Sequence, residues 1–262
     1  MKPHRISAVI LRHCYEARRN VDRLTDLFYW PVLDIIVWGF FTIYLARGNR
    51  LQPDIVNFLL GAAILWGMFF AFQRDMAVGF IDELWSRNLI NLFSTPLTVW
   101  EYLTGLVAVN VVKAFIGMAA ASIIALLAYS FDIFPLLPAF LPYIANLVFF
   151  ALALGIMITG LIFRYTTKIQ SLAWSFAGLL QPVSCVFYPI SALPRWLRAL
   201  AWMLPTAHSF EGMRSVLAGN GFSPVHFWWG FGLNVAYFAL AMGGFRWIFA
   251  AARRRGLLVK QE

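Results

Sequence analysis

Six long apolar runs, at 28–46, 55–73, 100–128, 140–163, 169–190 and 225–249, leave this chain few folds to choose from. At 1.5 Å per residue, each is long enough to cross about 30 Å of hydrocarbon as a helix. In lipid the backbone must satisfy its own hydrogen bonds, so spanning segments are helices or closed barrels. Barrel strands alternate apolar and polar residues in segments of about ten, and these runs are longer and continuous. The predicted fold is therefore all-α and integral to a membrane, with six transmembrane helices. Composition agrees: 61% of residues are hydrophobic and 13% charged, against roughly 25% charged in soluble chains. The third run is too long for a straight crossing, so it tilts or projects beyond the bilayer. Thr98-Val99-Trp100-Glu101 reads as a capping box, and Ser223-Pro224 sets an N-cap before a proline at the first helical position.

With the spans placed, the net charge of +9 reports topology rather than nucleic-acid binding. Of the 21 lysines and arginines, 15 fall before the first run, between runs two and three, between runs four and five, or from Arg246 onward. Five lie on the other side, and Lys113 sits inside the third run. The positive-inside rule then makes both termini cytoplasmic. The leader is charged throughout and has no short apolar core before a small-residue cleavage site, so no cleavable signal peptide is expected.

Several chemistries find no support. Cys14 and Cys185 offer neither a disulfide framework nor a CxxC site, and His4, His13, His208 and His226 lack metal-ligand spacing. There is no G-x-S-x-G elbow and no phosphate-binding loop. The pair Gly155 and Gly160 lies inside run four, where Ala151, Gly155 and Thr159 form a small-residue helix-packing face instead. The chain is read as a non-catalytic single transmembrane domain over 1–262, holding no metal and no cofactor. Active transport would need energy from another polypeptide.

Three segments are not spans. In the leader, 1–27, Ile6, Val9, Ile10, Ala17, Val21 and Leu24 recur at helical spacing, with Arg5, Arg12, Glu16, Arg19 and Arg23 opposite. A helix lying in the headgroup layer explains this, with arginines on anionic lipid; packing on a partner is the alternative. In the loop 74–99, residues 82–93 are predicted to form a short helix stopped by Ser94-Thr95-Pro96. Ile81, Leu84, Trp85, Leu89 and Leu92 would bury, leaving Asp82, Glu83 and Arg87 to face water or another protein. It is either a docking knob or a surface helix on the bilayer. The outer segment, 191–224, carries Pro194 and Pro205 and predicts short helices at 196–204 and 206–217, re-entrant and forming either a lid or a structural belt.

Polar residues inside a membrane are costly and so are functional candidates. Asp34 lies about 9 Å into the first run and Lys113 about 20 Å along the third, a depth mismatch that argues against their direct pairing. In run five, Gln170, Trp174, Gly178, Gln181, Cys185 and Tyr188 share one helical stripe, either lining a conduit or hydrogen-bonding between helices.

Two stretches carry a family resemblance. DELWSRNLINLFSTPLTVWEYLTG, at 82–105, is similar to the coupling-helix region of the permease subunit of type-2 ABC exporters. FYPISALPRWLRALAWMLPTAHSFEGMRSVLAG, at 187–219, resembles the family's proline-rich outer segment. The resemblance implies a homodimeric permease in the bacterial inner membrane, paired with two cytosolic ATPase subunits that bind ATP and Mg. It implies coupling to the ATPase through Asp82, Glu83, Trp85, Arg87 and Asn88. It also implies a translocation pathway between runs two and five, where Phe58, Trp66, Phe69, Phe70 and Gln73 face Gln170, Trp174, Gln181, Cys185 and Tyr188. Aromatic walls suit an amphipathic cargo, a polysaccharide or glycolipid or a drug-like molecule. The rival is a self-contained secondary transporter or a membrane-embedded enzyme, which would need an intramembrane ionisable cluster or an inverted repeat; only Asp34 and Lys113 stand out, and no repeat is evident.

Overall fold

The computed structural model describes residues 1–19, 21–47, 53–86, 88–165 and 169–254. Among them are α1 (Pro3–Arg19), α2 (Val21–Arg47), α3 (Pro53–Trp85), α4 (Leu89–Ser94) and α5 (Val99–Tyr129). There follow α6 (Leu137–Tyr165), α7 (Leu172–Leu180), α8 (Arg195–Trp202), α9 (Pro205–Leu217) and α10 (Pro224–Arg254). No strand occurs among the described residues.

Five helical stretches are long and apolar enough to cross a membrane: Thr25–Tyr44, Val56–Trp85, Val99–Tyr129, Phe134–Ile162 and Pro224–Ala251. They match the first four predicted runs and the sixth, and the chain is a multi-pass membrane protein. In α3 and α6, 72% and 67% of the most apolar stretch is buried, against 17% in α2 and 22% in α10. The first two helices therefore form the centre of the bundle, while α2 and α10 present most of their apolar surface outward. Val37, Phe40, Phe41 and Tyr44, within about two turns of α2, are exposed, apolar side chains suited to a hydrocarbon surround.

The predicted capping box at the start of α5 is present. Thr98 N–H donates to Glu101 Oε2 at 2.9 Å, and Glu101 N–H donates to Thr98 Oγ1 at 3.3 Å. The small face of α6 also packs as expected. A Cβ on Gly155 would stand 2.6 Å from Met76 Cβ, so only glycine lets α3 come this close. One turn on, the Thr159 hydroxyl lies 3.4 Å from the Met76 carbonyl. Polar contacts between helices join α6 to α10, where Asn234 Nδ2 donates to Asn146 O at 2.9 Å and Asn146 Nδ2 donates to Phe227 O at 3.2 Å.

Three expectations are corrected, and the leader makes a contact within the chain that its pattern did not show. The fifth run does not form a helix of crossing length: α7 has nine residues, and hydrogen-bonded turns carry on to Ser184, whose N–H reaches Leu180 O at 2.9 Å. Pro182 has no N–H with which to continue the ladder, and Cys185 turns to the left-handed φ of 55°. Next, the loop expected from residue 74 begins later, because 74–85 continue α3, giving one rod of 33 residues, about 50 Å long. Third, the predicted short helix at 82–93 is split. Asp82, Glu83 and Trp85 end α3, Ser86 and Asn88 form the turn, and α4 has six residues; Arg87 lies outside the described residues. Finally, the leader docks on the protein itself. Val9 of α1 is buried against α5, where a Cβ on Gly105 would meet Val9 Cβ at 2.7 Å and Ile6 O at 3.4 Å.

The short helices of the outer segment form close to their predicted positions. Within α9, Pro205 to Phe210 are buried against α6 and α10, whereas α8 exposes Trp196, Leu200 and Trp202.

Candidate functional site

Two regions bring the polar candidates together: a charged knot at the α1 end of the bundle and a cleft that rises from it. In the knot, carboxylates at the start of α5 and the end of α3 hold arginines of the leader. Glu101 Oε1 accepts from the Lys2 backbone N–H at 2.8 Å, and its Oε2 lies 3.5 Å from Arg5 Nη1. Arg5 also donates to the Pro96 carbonyl. Glu83, expected to face water or a partner, is instead only 2% exposed. Its Oε1 pairs with Arg12 Nη2 at 2.7 Å, and its Oε2 accepts from Asn88 Nδ2 at 2.8 Å. Burial works against the charge of Arg12, but the hydrogen bond and charge of Glu83 outweigh it and hold the guanidinium pKa above its usual value. Glu83 therefore ties the leader, the end of α3 and the turn before α4 into one unit. The reason lies in packing: once Gly105 admits Val9, the inward arginines of α1 fall beside these carboxylates.

Deeper in the bundle, Lys113 does not pair with Asp34. Its Nζ meets Asp75 Oδ2 at 3.0 Å, while the other oxygen, Oδ1, takes Arg74 at 3.0 Å. This triad links α3 to α5. Asp75 was missed because the apolar run ends at Gln73, yet the missing negative partner for an intramembrane lysine was a signal that could have found it.

Above the triad opens a cleft of about 620 Å³ between α2, α3, α5 and α7. Its α2 wall carries Asp26, Trp30, Asp34 and Trp38, one per turn of helix, with Leu27 and Pro31 beside them; its α3 wall includes Trp66 and Phe70; α7 and the turn after it contribute Trp174, Gly178 and Gln181. Trp38 stacks on Phe187 with ring centroids 3.8 Å apart, closing the cleft at its far end. Trp30 Nε1 donates to Asp26 Oδ1 at 2.8 Å. Asp34 is exposed to the cleft and has no hydrogen-bond or ion-pair partner among the described residues.

The expected pathway residues divide. Trp66, Phe70, Trp174 and Gln181 meet in the cleft, joined by Asp34 and Lys113. Phe58, Phe69, Gln73 and Cys185 lie outside it and are buried within the chain. Phe69 stacks on Phe150 at 5.9 Å, Gln73 Nε2 reaches Ala173 O at 3.4 Å, and Arg214 lies 4.4 Å over the Phe58 ring. Gln170 sits at the α1 end, where its Oε1 accepts from Trp85 Nε1 at 3.2 Å, and Trp85 stacks on Trp174 at 6.4 Å. The Tyr188 hydroxyl donates to Pro182 O. All the expected residues of α3 are apolar or amide, so one-dimensional spacing could not separate its cleft face from its core face.

At the opposite end, α9 clamps the turn that follows α7. Arg214 donates to the carbonyls of Cys185 and Val186 and pairs with Glu211 at 2.8 Å, and Glu211 Oε1 accepts from the Ile190 N–H at 2.6 Å. The Thr206 hydroxyl donates to Ser184 Oγ at 2.9 Å. Burial lowers the pKa of Arg214 even though Glu211 acts to raise it. The geometry of the bundle is thus that of a cleft with a charged floor, an aromatic wall on each side and a clamped far end.

Among the described residues no group of three His, Cys, Asp or Glu side chains is placed to hold a metal ion. A family model described as ABC-2 type transporter matches residues 14–218 of the chain. No curated protein matches it.

Proposed function

Since the chain belongs to the ABC-2 type transporter family and is a membrane-spanning permease of an ABC transporter, we propose that it is the transmembrane subunit of an ATP-driven exporter. In this reading two copies form a homodimer in a bacterial inner membrane, and two cytosolic ATPase subunits bind ATP and Mg. The α1 end faces the cytosol, and an amphipathic cargo moves outward through the cleft. The carrying observation is that α3 is a single rod running from the cleft wall, Trp66 and Phe70, through the Asp75 triad to Asp82, Glu83 and Trp85 at its tip. A push on that tip moves the cleft wall with it, because an unbroken helix does not absorb the displacement at a hinge.

The tip of α3, the turn at Asn88 and α4 would form the handle for the ATPase. Within it, Trp85 transmits motion to α7 through Gln170 and Trp174, and Glu83 keeps the leader attached rather than docking on the partner. ATP biases the equilibrium by binding the closed state of its subunits more tightly than the open one. The arrangement of Glu211 and Arg214 fits α9 as a brace for the far end of the pathway.

The test is reconstitution. The purified chain in proteoliposomes should export cargo only when the cognate ATPase, ATP and Mg are supplied, and Trp85→Ala should lower transport per ATP hydrolysed while leaving assembly with the ATPase intact. Nucleotide hydrolysis by the chain alone, or export without the ATPase, would overturn the reading.

A further inference from the structure

The cleft is not chemically neutral. On α2, residues 26, 30, 34 and 38 repeat at intervals of four, so acid and indole alternate up one face of the helix at a rise of about 6 Å per step. The lower acid, Asp26, is engaged by the Trp30 N–H. The third carboxylate of the cleft, Asp75, is matched by Arg74 and Lys113. Asp34 is what remains: one unpartnered carboxylate between two tryptophans, facing Trp66 and Phe70 across the cleft. Counting Asp26, Asp34 and Asp75 against Arg74 and Lys113, the lining carries one net negative charge.

An acid at membrane depth is costly unless it has a counter-ion, and here the protein leaves that position open toward a space of about 620 Å³, within the size range of small-molecule sites. Indole faces attract cations, most strongly where water is excluded. A neutral sugar would gain stacking but would not need Asp34, and an anionic headgroup would be repelled by it and would have to displace Asp75 from Lys113.

We propose that the cleft selects a lipophilic organic cation, held by the Asp34 carboxylate and by the Trp30 and Trp38 rings on either side of it. This rests on the cleft being the cargo pathway and names the class of cargo. Asp26 and Trp30 form the lower step and Asp34 and Trp38 the upper one, so a cation advances by exchanging one acid and ring pair for the next.

The test is equilibrium binding to the full chain in nanodiscs, without ATPase or nucleotide, taking only the saturable signal above empty nanodiscs. The probes are tetraphenylphosphonium and its anionic shape-match, tetraphenylborate. The expected result is saturable binding of the phosphonium and none of the borate. Asp34→Asn should weaken phosphonium binding about tenfold or more, and Asp34→Glu, which keeps the charge, should retain it; both variants should melt as the parent does. Equal binding by Asp34→Asn, saturable borate binding of similar strength, or no saturable phosphonium binding would each overturn the proposal. Because no ATP is involved, a negative result leaves ATP-driven export of another cargo standing. Conversely, cation binding without ATP-dependent export would uphold the Asp34 cation site and remove the exporter reading, and with it the role of that site as a step for cargo.

Discussion

Glu83 brings a carboxylate into a site that shields all but 2% of it from solvent, and its two oxygens are taken by Arg12 and Asn88. Its role follows from what its removal leaves behind. In Glu83→Ala the Asn88 amide loses its acceptor and Arg12 is left with Glu16, 3.0 Å from its Nε, a loss of roughly 1–3 kcal/mol. The expected outcome is a lower melting temperature together with faster proteolysis within α1. In a double-mutant cycle with Arg12→Met the two effects should be strongly non-additive, because both remove one interaction. Additive effects with an intact leader would show that the pair does not hold it. At this scale the sequence was a poor guide. The spacing of Asp82 and Glu83 on a polar stretch gives no sign that one turns inward, since the partner that decides it lies some seventy residues earlier in the chain. Lys113 shows the same limit: its charge announced a partner, but only packing of α3 on α5 identified Asp75.

Helices were the most legible level, and where they were misread the cause is physical. The capping box at Thr98 and the small face of α6 are local patterns that act locally, and both appear as expected. The end of α3 was misplaced because hydropathy falls at Arg74, whereas the helix continues because Met76, Ala77, Phe80 and Ile81 are buried in the bundle and Asp75 is matched by Arg74 and Lys113. The fifth run was misread in the opposite sense: it is apolar throughout, but Pro182 and the left-handed Cys185 stop its helix. The α3–α6 contact gives a prediction at this scale. Gly155→Ala places a Cβ 2.6 Å from Met76 Cβ and should force the two central helices apart, at a cost of about 1–3 kcal/mol read as a drop in melting temperature. Gly178→Ala, which meets nothing within 4 Å, should melt as the parent does. Equal melting of both variants would show that the close approach does not govern stability.

For the whole molecule, the two cysteines report which way it sits. Cys14 is exposed on α1 and Cys185 is buried, so a membrane-impermeant maleimide should label the chain once, in inverted vesicles and not in intact cells. Labelling from the outside of intact cells would reverse the orientation drawn from the positive residues. The sequence by itself determined that this chain lives in lipid, that most of its apolar runs become crossing helices, and where the sharp cap and the small packing face fall. These follow from length, hydropathy and neighbours a few residues apart. Only the tertiary structure decided which aromatic face of α3 meets the cleft and which meets the core, which acid receives each cation, and that the leader belongs to the bundle. The reason is that a lipid surround and a protein core are nearly equal solvents for an apolar side chain. Hydropathy therefore separates membrane from water but not one side of a buried helix from the other, and that choice is made when distant helices close on one another.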